Sequence, residues 1–164
     1  MLSQPKIVLR GEQPYAAVRL QVAIPFGDVI PSSFDGVTAW LSGKGLAPSG
    51  APFIRYLTTD MSRKLDIEIG WPTASLVTGD RRITTGTIPA GRYAVALYTG
   101  AYDGLVDATA AFLKWAEENQ VTWKKSTVDG VEWWDARLEH YLTDPAEEPD
   151  PQKWQTELAF LVAD

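Results

Sequence analysis

The sequence contains no cysteine, which excludes a disulfide framework, a thiolate nucleophile and a zinc–thiolate site. It has a single histidine, His140, so a histidine-rich metal centre is excluded and a Ser-His-Asp triad has one candidate base. No apolar run approaches the roughly 18 residues that span a bilayer, and Met1 to Leu9 lacks the apolar stretch of a signal peptide. Clustered positive charge is missing too. The densest cationic spots are Arg81-Arg82 and Lys124-Lys125, both beside turn residues, and the net charge is −6. A surface that displaces counterions from nucleic-acid phosphates needs Lys and Arg in far greater concentration. The expectation is a cytoplasmic chain that holds no metal or cofactor, lies in no membrane and touches no nucleic acid directly.

What is present suits one domain: 164 residues, 45% of them hydrophobic, are enough to bury a sizeable core. The unusual feature is aromatic content, with seven Trp, six Tyr and five Phe. Aromatic rings bury large surfaces, yet several of these Trp fall in segments that look like loops, so the set divides between core and binding surface.

The chain reads as two halves of like order, about 6–72 and about 83–163. In the first, Val18, Leu20, Val22 and Ile24 alternate with Ala17, Arg19, Gln21 and Ala23, as in a half-buried strand. Pro25-Phe26-Gly27-Asp28 breaks it. A helix is expected from an N-cap at Ser32 or Ser33, with Phe34, Val37, Trp40 and Leu41 at helical spacing and Gly43 and Gly45 at its end. Strands follow over 51–58 and 64–71, joined by a turn at Thr59-Asp60-Met61. In the second half, one strand over 83–98, interrupted near Pro89-Ala90-Gly91, precedes a helix over 103–119. That helix carries Leu105, Ala108, Phe112, Trp115 and Ala116 on one side. Strands over 135–143 and 154–162 close the chain. Short echoes support a duplication: Ile54-Arg55-Tyr56-Leu57 stands where Glu139-His140-Tyr141-Leu142 stands later. The groove between two such halves is a natural binding cleft. An insertion at 121–134, without counterpart in the first half, reads as a hairpin turning at Asp129-Gly130, either a flap carrying Trp123, Trp133 and Trp134 or a cover for the sheet edge.

The run Ile88-Pro89-Ala90-Gly91-Arg92-Tyr93-Ala94-Val95, then Tyr98-Thr99-Gly100-Ala101-Tyr102-Asp103, then Trp115, then Leu138 to Pro145 resembles the GyrI-like effector-binding domain family. The resemblance implies an α+β fold: two pseudo-symmetric strand–helix–strand–strand repeats forming a curved antiparallel sheet, with helices on one face and a ligand cleft on the other. It also implies that a Glu on the penultimate strand, here Glu139, lies deep in an aromatic cleft and pairs with lipophilic cations. Strand parity puts Glu139 and Tyr141 on one face and Leu138, His140 and Leu142 on the other, where packing on the helices is expected. Tyr56 is expected on the cleft face with Tyr141. Tyr98 and Tyr102 flank the glycine break before the second helix. Trp71 is a candidate for the first-half wall of the cleft, although its parity with Leu65, Ile67 and Ile69 favours the core, and Trp133 and Trp134 on the insertion are further candidate ligand-binding residues. Trp40 and Trp115 read as core.

Three functions stay open. The first is binding of a hydrophobic, planar small molecule, cationic or neutral, for drug sensing or sequestration. No helix-turn-helix length precedes the first strand, so any transcriptional role would pass through a protein partner; monomer and dimer are both open. The second, which the resemblance implies, is hydrolysis of strained cyclopropane rings in DNA-alkylating natural products. There Glu139 would be general base, with Tyr141 or Tyr56 polarising the developing oxyanion. The third is inhibition of a topoisomerase through Asp144, Glu147, Glu148 and Asp150, against which stands the plainer reading of a solvated connector.

Overall fold

The computed structural model describes residues 1–60 and 62–164. Ten strands and two helices follow one another as β1 (Lys6–Arg10), β2 (Gln13–Val22), α1 (Ile30–Gly43), β3 (Phe53–Tyr56), β4 (Leu65–Pro72), β5 (Thr84–Ile88), β6 (Gly91–Thr99), α2 (Leu105–Glu118), β7 (Lys125–Val128), β8 (Val131–Trp134), β9 (Arg137–Tyr141) and β10 (Gln155–Leu161). Eight of the strands form one sheet in the order β1-β6-β10-β9-β3-β4-β2-β5, every neighbour antiparallel. β7 and β8 form the expected separate hairpin. Its turn residues, Asp129 at φ 51° and Gly130 at φ 78°, match a two-residue turn in which both positions are left-handed.

The connections dictate the shape. β1 and β2 stand six places apart in the sheet, about 29 Å if it were flat. Only Gly11 and Glu12 join them, a span of about 11 Å at full extension. The link from β5 to β6 through Pro89 and Ala90 imposes the same constraint in reverse. The sheet therefore curls into a half-barrel, bringing its two ends together on one side. The strand expected over 83–98 is interrupted at the expected place, Pro89-Ala90, but its two pieces pair with different neighbours. Pro89, which has no N–H to give a ladder, ends β5 on β2, and the chain crosses to start β6 between β1 and β10.

Both helices lie on the other side, outside the curl. α1 packs through Val37 and Leu41 on Ala16 and Ile83, and through Phe34 and Ile30 towards Ile54, Ile67 and Ile69. α2 packs through Ala108, Phe112 and Ala116 towards Ala94, Ala96, Leu158 and Phe160, as its apolar stripe predicts. Inside the curl, Tyr15, Ala17, Phe53, Tyr93, Val95, Leu138 and Ala159 form a separate core. The helix caps differ from expectation. Each helix continues from a single 3-10 turn, over 27–29 and 102–104, so α1 begins at Ile30 with Pro31 in its first turn, and neither Ser32 nor Ser33 caps it. The predicted turn at 59–61 includes Met61, which lies outside the described residues. Within the described residues no helix is long and apolar enough to cross a membrane, and no group of three His, Asp or Glu side chains is placed to hold a metal.

Candidate functional site

Register places Ala96, Leu158, Glu139, Ile54, Ile69 and Val18 in one row across the sheet, on the helix side. Glu139 is thus the carboxylate in an otherwise apolar row, between the segments covered by α2 and α1. It is 9% exposed. The Tyr56 hydroxyl donates to Glu139 Oε1 at 3.0 Å, and the Tyr141 hydroxyl donates to the same oxygen at 2.5 Å. Oε2 accepts no hydrogen bond from the described residues. Nor is it among the sealed, unpartnered atoms, which are Arg55 Nε and Thr156 Oγ1. Oε2 is thus the oxygen left for a further partner, while Oε1 is pinned.

Burial pushes the Glu139 carboxyl above the usual carboxylate range, against the downward pulls of the Tyr141 and Tyr56 hydroxyls and the Arg137 charge. No ion pair reaches Glu139 among the described residues. The guanidinium of Arg137, two residues away on the same face, instead lies over the rings of Trp134 (4.6 Å) and Phe160 (4.8 Å). The Tyr56 and Tyr141 hydroxyls are held well above their ordinary range by burial first and by the Glu139 charge second, so they remain proton donors.

Aromatic rings wall the carboxylate. Phe26, just before the first 3-10 turn, meets Tyr56 edge-on at 6.5 Å. Tyr102, opening the second 3-10 turn, meets Tyr141 edge-on at 5.7 Å and lies against Trp154 at 4.7 Å. Phe34 of α1 meets Tyr141 at 6.1 Å and Trp71 at 5.8 Å. Each strand-to-helix break thus delivers one ring to one of the two tyrosines.

Of the residues expected at the site, Glu139, Tyr56, Tyr141 and Tyr102 are brought together. Trp71 stands behind Phe34, its indole N–H donating to the Phe34 carbonyl at 3.1 Å. Tyr98 is buried beneath the glycine break and donates to the Ala101 carbonyl at 2.7 Å, shaping the turn that presents Tyr102. Trp134 is buried in the α2 core and reaches the site only through Arg137. Trp133 is half-buried on the hairpin, bridged through its backbone to Thr58. Trp123 and Trp134 meet Phe112 or Phe160, so those two Trp of the insertion cover the α2 side of the sheet. Phe26, Phe34, Arg137 and Trp154 were not singled out as site residues. For Phe26 the signal was its place in the strand break that mirrors Tyr102-Asp103-Gly104.

One expectation is corrected. The parity of β9 holds, but its assignment to the two sides is reversed. Glu139 and Tyr141 face the helices, while Leu138 and His140 face the inside of the curl. His140 is therefore not packed under the helices. The inner face does hold a cavity, of about 470 Å³, but Glu139 does not line it.

A curled antiparallel sheet with two outer helices, and a tyrosine-held carboxylate walled by rings between them, defines a small-molecule-binding type of domain. The chain belongs to the GyrI-like small molecule binding domain family, whose model matches residues 3–163. Curated protein sequences give no match. Among solved structures, the chain resembles EcmrR in complex with DNA (19% identity, TM-score 0.77). It is covered over 98% there but spans 57% of that longer chain. It spans 98% of the separate EcmrR C-terminal domain, with 98% of its own length covered (19% identity, TM-score 0.72). It also resembles a hydrolase from Listeria innocua (14% identity, 98% of this chain and 92% of that one, TM-score 0.63). A third similarity is to SAV2435 bound to tetraphenylphosphonium (13% identity, 98% and 94% covered, TM-score 0.61). At these identities the likeness is one of fold.

Proposed function

We propose that the chain binds a hydrophobic, aromatic cation between its helices, with Glu139 as counter-ion. One observation carries this: a buried carboxylate with no ion-pair partner among the described residues, one oxygen held by two tyrosines and the other free. The desolvation of that charge is already met in the unliganded fold, so a cation arriving at Oε2 gains attraction in a low-dielectric setting without further cost to the carboxylate. Phe26, Phe34, Tyr102 and Trp154 offer ring faces and edges to its apolar parts. The tetraphenylphosphonium held by SAV2435, a protein of this fold, is a ligand of that chemistry.

A second reading rests on the same free oxygen. In it Oε2, on a carboxylate made more basic by burial, would take a proton from a water; what supports it is that raised basicity and a hydrolase of this fold. The two readings separate by product analysis: a bound compound recovered unchanged supports binding, and one recovered hydrated supports hydrolysis.

The binding reading is tested by calorimetric titration with tetraphenylphosphonium and with neutral triphenylphosphine oxide, on wild type and Glu139→Gln. The expected result is preference for the cation in wild type and a loss of about tenfold or more in the variant, equivalent to about 1.4 kcal/mol. Equal affinity for both compounds, or for both proteins, would remove Glu139 from charge recognition. The acidic connector gives the topoisomerase reading no support: Asp144, Glu148 and Asp150 accept backbone N–H bonds from Ala146, Asp150 and Gln152, as turn-forming carboxylates do.

A further inference from the structure

The cavity inside the curl is independent of Glu139 and has a chemistry of its own. It lies where the two crossings, Arg10 to Gln13 and Ile88 to Pro89, bring the ends of the sheet together over Leu138 and Tyr93. Six polar side chains line it; of these Glu12 is exposed to solvent, and Gln13 donates to the Pro14 and Thr73 carbonyls, both at 2.9 Å. Arg10 holds Glu157 in a two-pronged bridge at 2.8 and 2.9 Å, so those charges cancel. The Tyr93 hydroxyl is committed to the Pro89 carbonyl at 2.6 Å. His140 remains, half-buried and tilted against Phe53 at 6.0 Å between ring centroids. Its ring nitrogens make no hydrogen bond with the described residues and are not among the sealed, unpartnered atoms, and the residue lines the cavity.

The corresponding place in the first half shows what a closed version looks like. Arg55 is the register partner of Glu68 as His140 is of Glu157. There the Tyr15 hydroxyl donates to both Glu68 oxygens at 2.8 and 2.9 Å. Arg55 Nη1 donates to the Tyr15 oxygen at 3.1 Å, and Arg55 Nη2 donates to the Asp135 carbonyl at 2.6 Å. Those long side chains meet one another. On the His140 side the imidazole is shorter and Glu157 is turned to Arg10, and a hollow remains.

We propose that this hollow is a second small-molecule site, for an uncharged aromatic compound bearing one hydroxyl, such as a naphthol. The ring lies on Leu138 and Tyr93, and the hydroxyl pairs with the His140 imidazole. The absence of charge follows from the walls. Arg10 and Glu157 neutralise each other, and burial pushes the His140 imidazole down in pKa, which keeps it neutral at physiological pH. An anionic ligand would lose its hydration with no free positive charge to meet it, and the Glu12 carboxylate is exposed, where water screens its pull on a cation. A phenolic hydroxyl matches an imidazole that has both a donor and an acceptor to offer.

Because His140 is the chain's one histidine, its ring C–H signals identify themselves in a proton NMR spectrum. Titration with 2-naphthol near neutral pH is expected to move them saturably. The same titration on Glu139→Gln is expected to give the same affinity, and tetraphenylphosphonium is expected not to compete. 2-Naphthalenesulfonate is expected to bind more weakly. Equilibrium dialysis with His140→Phe, which keeps a ring and removes the nitrogens, should show about a three- to tenfold loss. No shift in the wild type overturns the proposal, as does affinity that falls with Glu139→Gln, which would put the naphthol between the helices. Unchanged affinity in His140→Phe overturns the role of the imidazole. Should that variant fail to fold, the wild-type and Glu139→Gln titrations still decide whether the site exists.

Discussion

Ile54 and Glu139 are direct register partners across the seam between β3 and β9, at the middle of the eight-stranded sheet. Each stands two residues before a tyrosine, Tyr56 or Tyr141, and both tyrosine hydroxyls meet Glu139 Oε1. The tyrosines are alike and the partners are not. The apolar side chain of Ile54 leaves room for a single carboxylate, which takes both hydroxyls. Two carboxylates directly opposite one another would repel and share a proton.

A lone buried carboxylate opposes folding, which predicts a gain in stability on neutralising it. The Glu139 carboxyl sits above its unfolded value of 4.5. Between the two values the folded state holds a proton that the unfolded state releases, so this group's contribution falls as pH rises through that window. Glu139→Gln is therefore expected to raise the melting temperature at neutral pH and to lose that advantage as pH falls towards 4.5. Each 1 kcal/mol gained corresponds to about 2–4 °C. Calorimetric melting of both proteins across pH checks the direction.

Tyr56→Phe and Tyr141→Phe each remove one donor to Oε1. Either change withdraws support from the ionised form and moves the Glu139 carboxyl further up. The pH at which tetraphenylphosphonium affinity sets in is expected to shift upward in both variants. An unshifted profile would place the hydroxyls outside the electrostatics of the site.

On the opposite face, Glu68 is 3% exposed and is met by Arg55 and Tyr15. Arg55→Met leaves that carboxylate with the Tyr15 hydroxyl alone and is expected to cost about 3–5 kcal/mol in urea unfolding. The double variant Arg55→Met/Glu68→Gln is expected to recover most of the loss, because the penalty belongs to the unpaired charge.

Gly104 tests the turn that presents Tyr102. A Cβ there would come within 2.1 Å of the Tyr98 hydroxyl oxygen, itself tied to Ala101. Gly104→Ala is expected to cost about 1–3 kcal/mol from overpacking, part of which Tyr98→Phe relieves by removing the nearest atom. Equal stability of Gly104→Ala and wild type would mean that the turn yields freely.

His140 gives a pH signature of the inner face. Burial lowers its pKa from 6.5, with Glu157 pulling up and Arg10 pushing down. Below 6.5 the unfolded chain takes up a proton that the folded one resists, so this contribution is present above 6.5 and fades as pH falls. His140→Phe should flatten the decline, and 2-naphthol bound to the neutral ring should steepen it in the wild type.

Much of this molecule was legible in short stretches of chain. The alternation in 17–22 and 64–71, the stripe Ala108-Phe112-Ala116 and the Asp129-Gly130 turn depend on backbone and side-chain preferences acting over a few residues, whereas the strand expected to run on to Ile24 ends at Val22. Strand alternation likewise put Glu139 with Tyr141 and apart from His140. It could not say which of the two sets meets the helices, because both sides of this sheet bury apolar residues: Leu138 and Ala159 on one, Leu158 and Phe160 on the other. That choice came from where α1 and α2 pack. The two-residue links at Gly11-Glu12 and Pro89-Ala90 look like hairpin turns until the strand order is known, and only then do they force the curl that makes the inner cavity. The fate of each Trp followed the same logic. Trp71 against Phe34, and Trp123 and Trp134 against Phe160, meet partners 26 to 37 residues away, at distances where local preference carries no information.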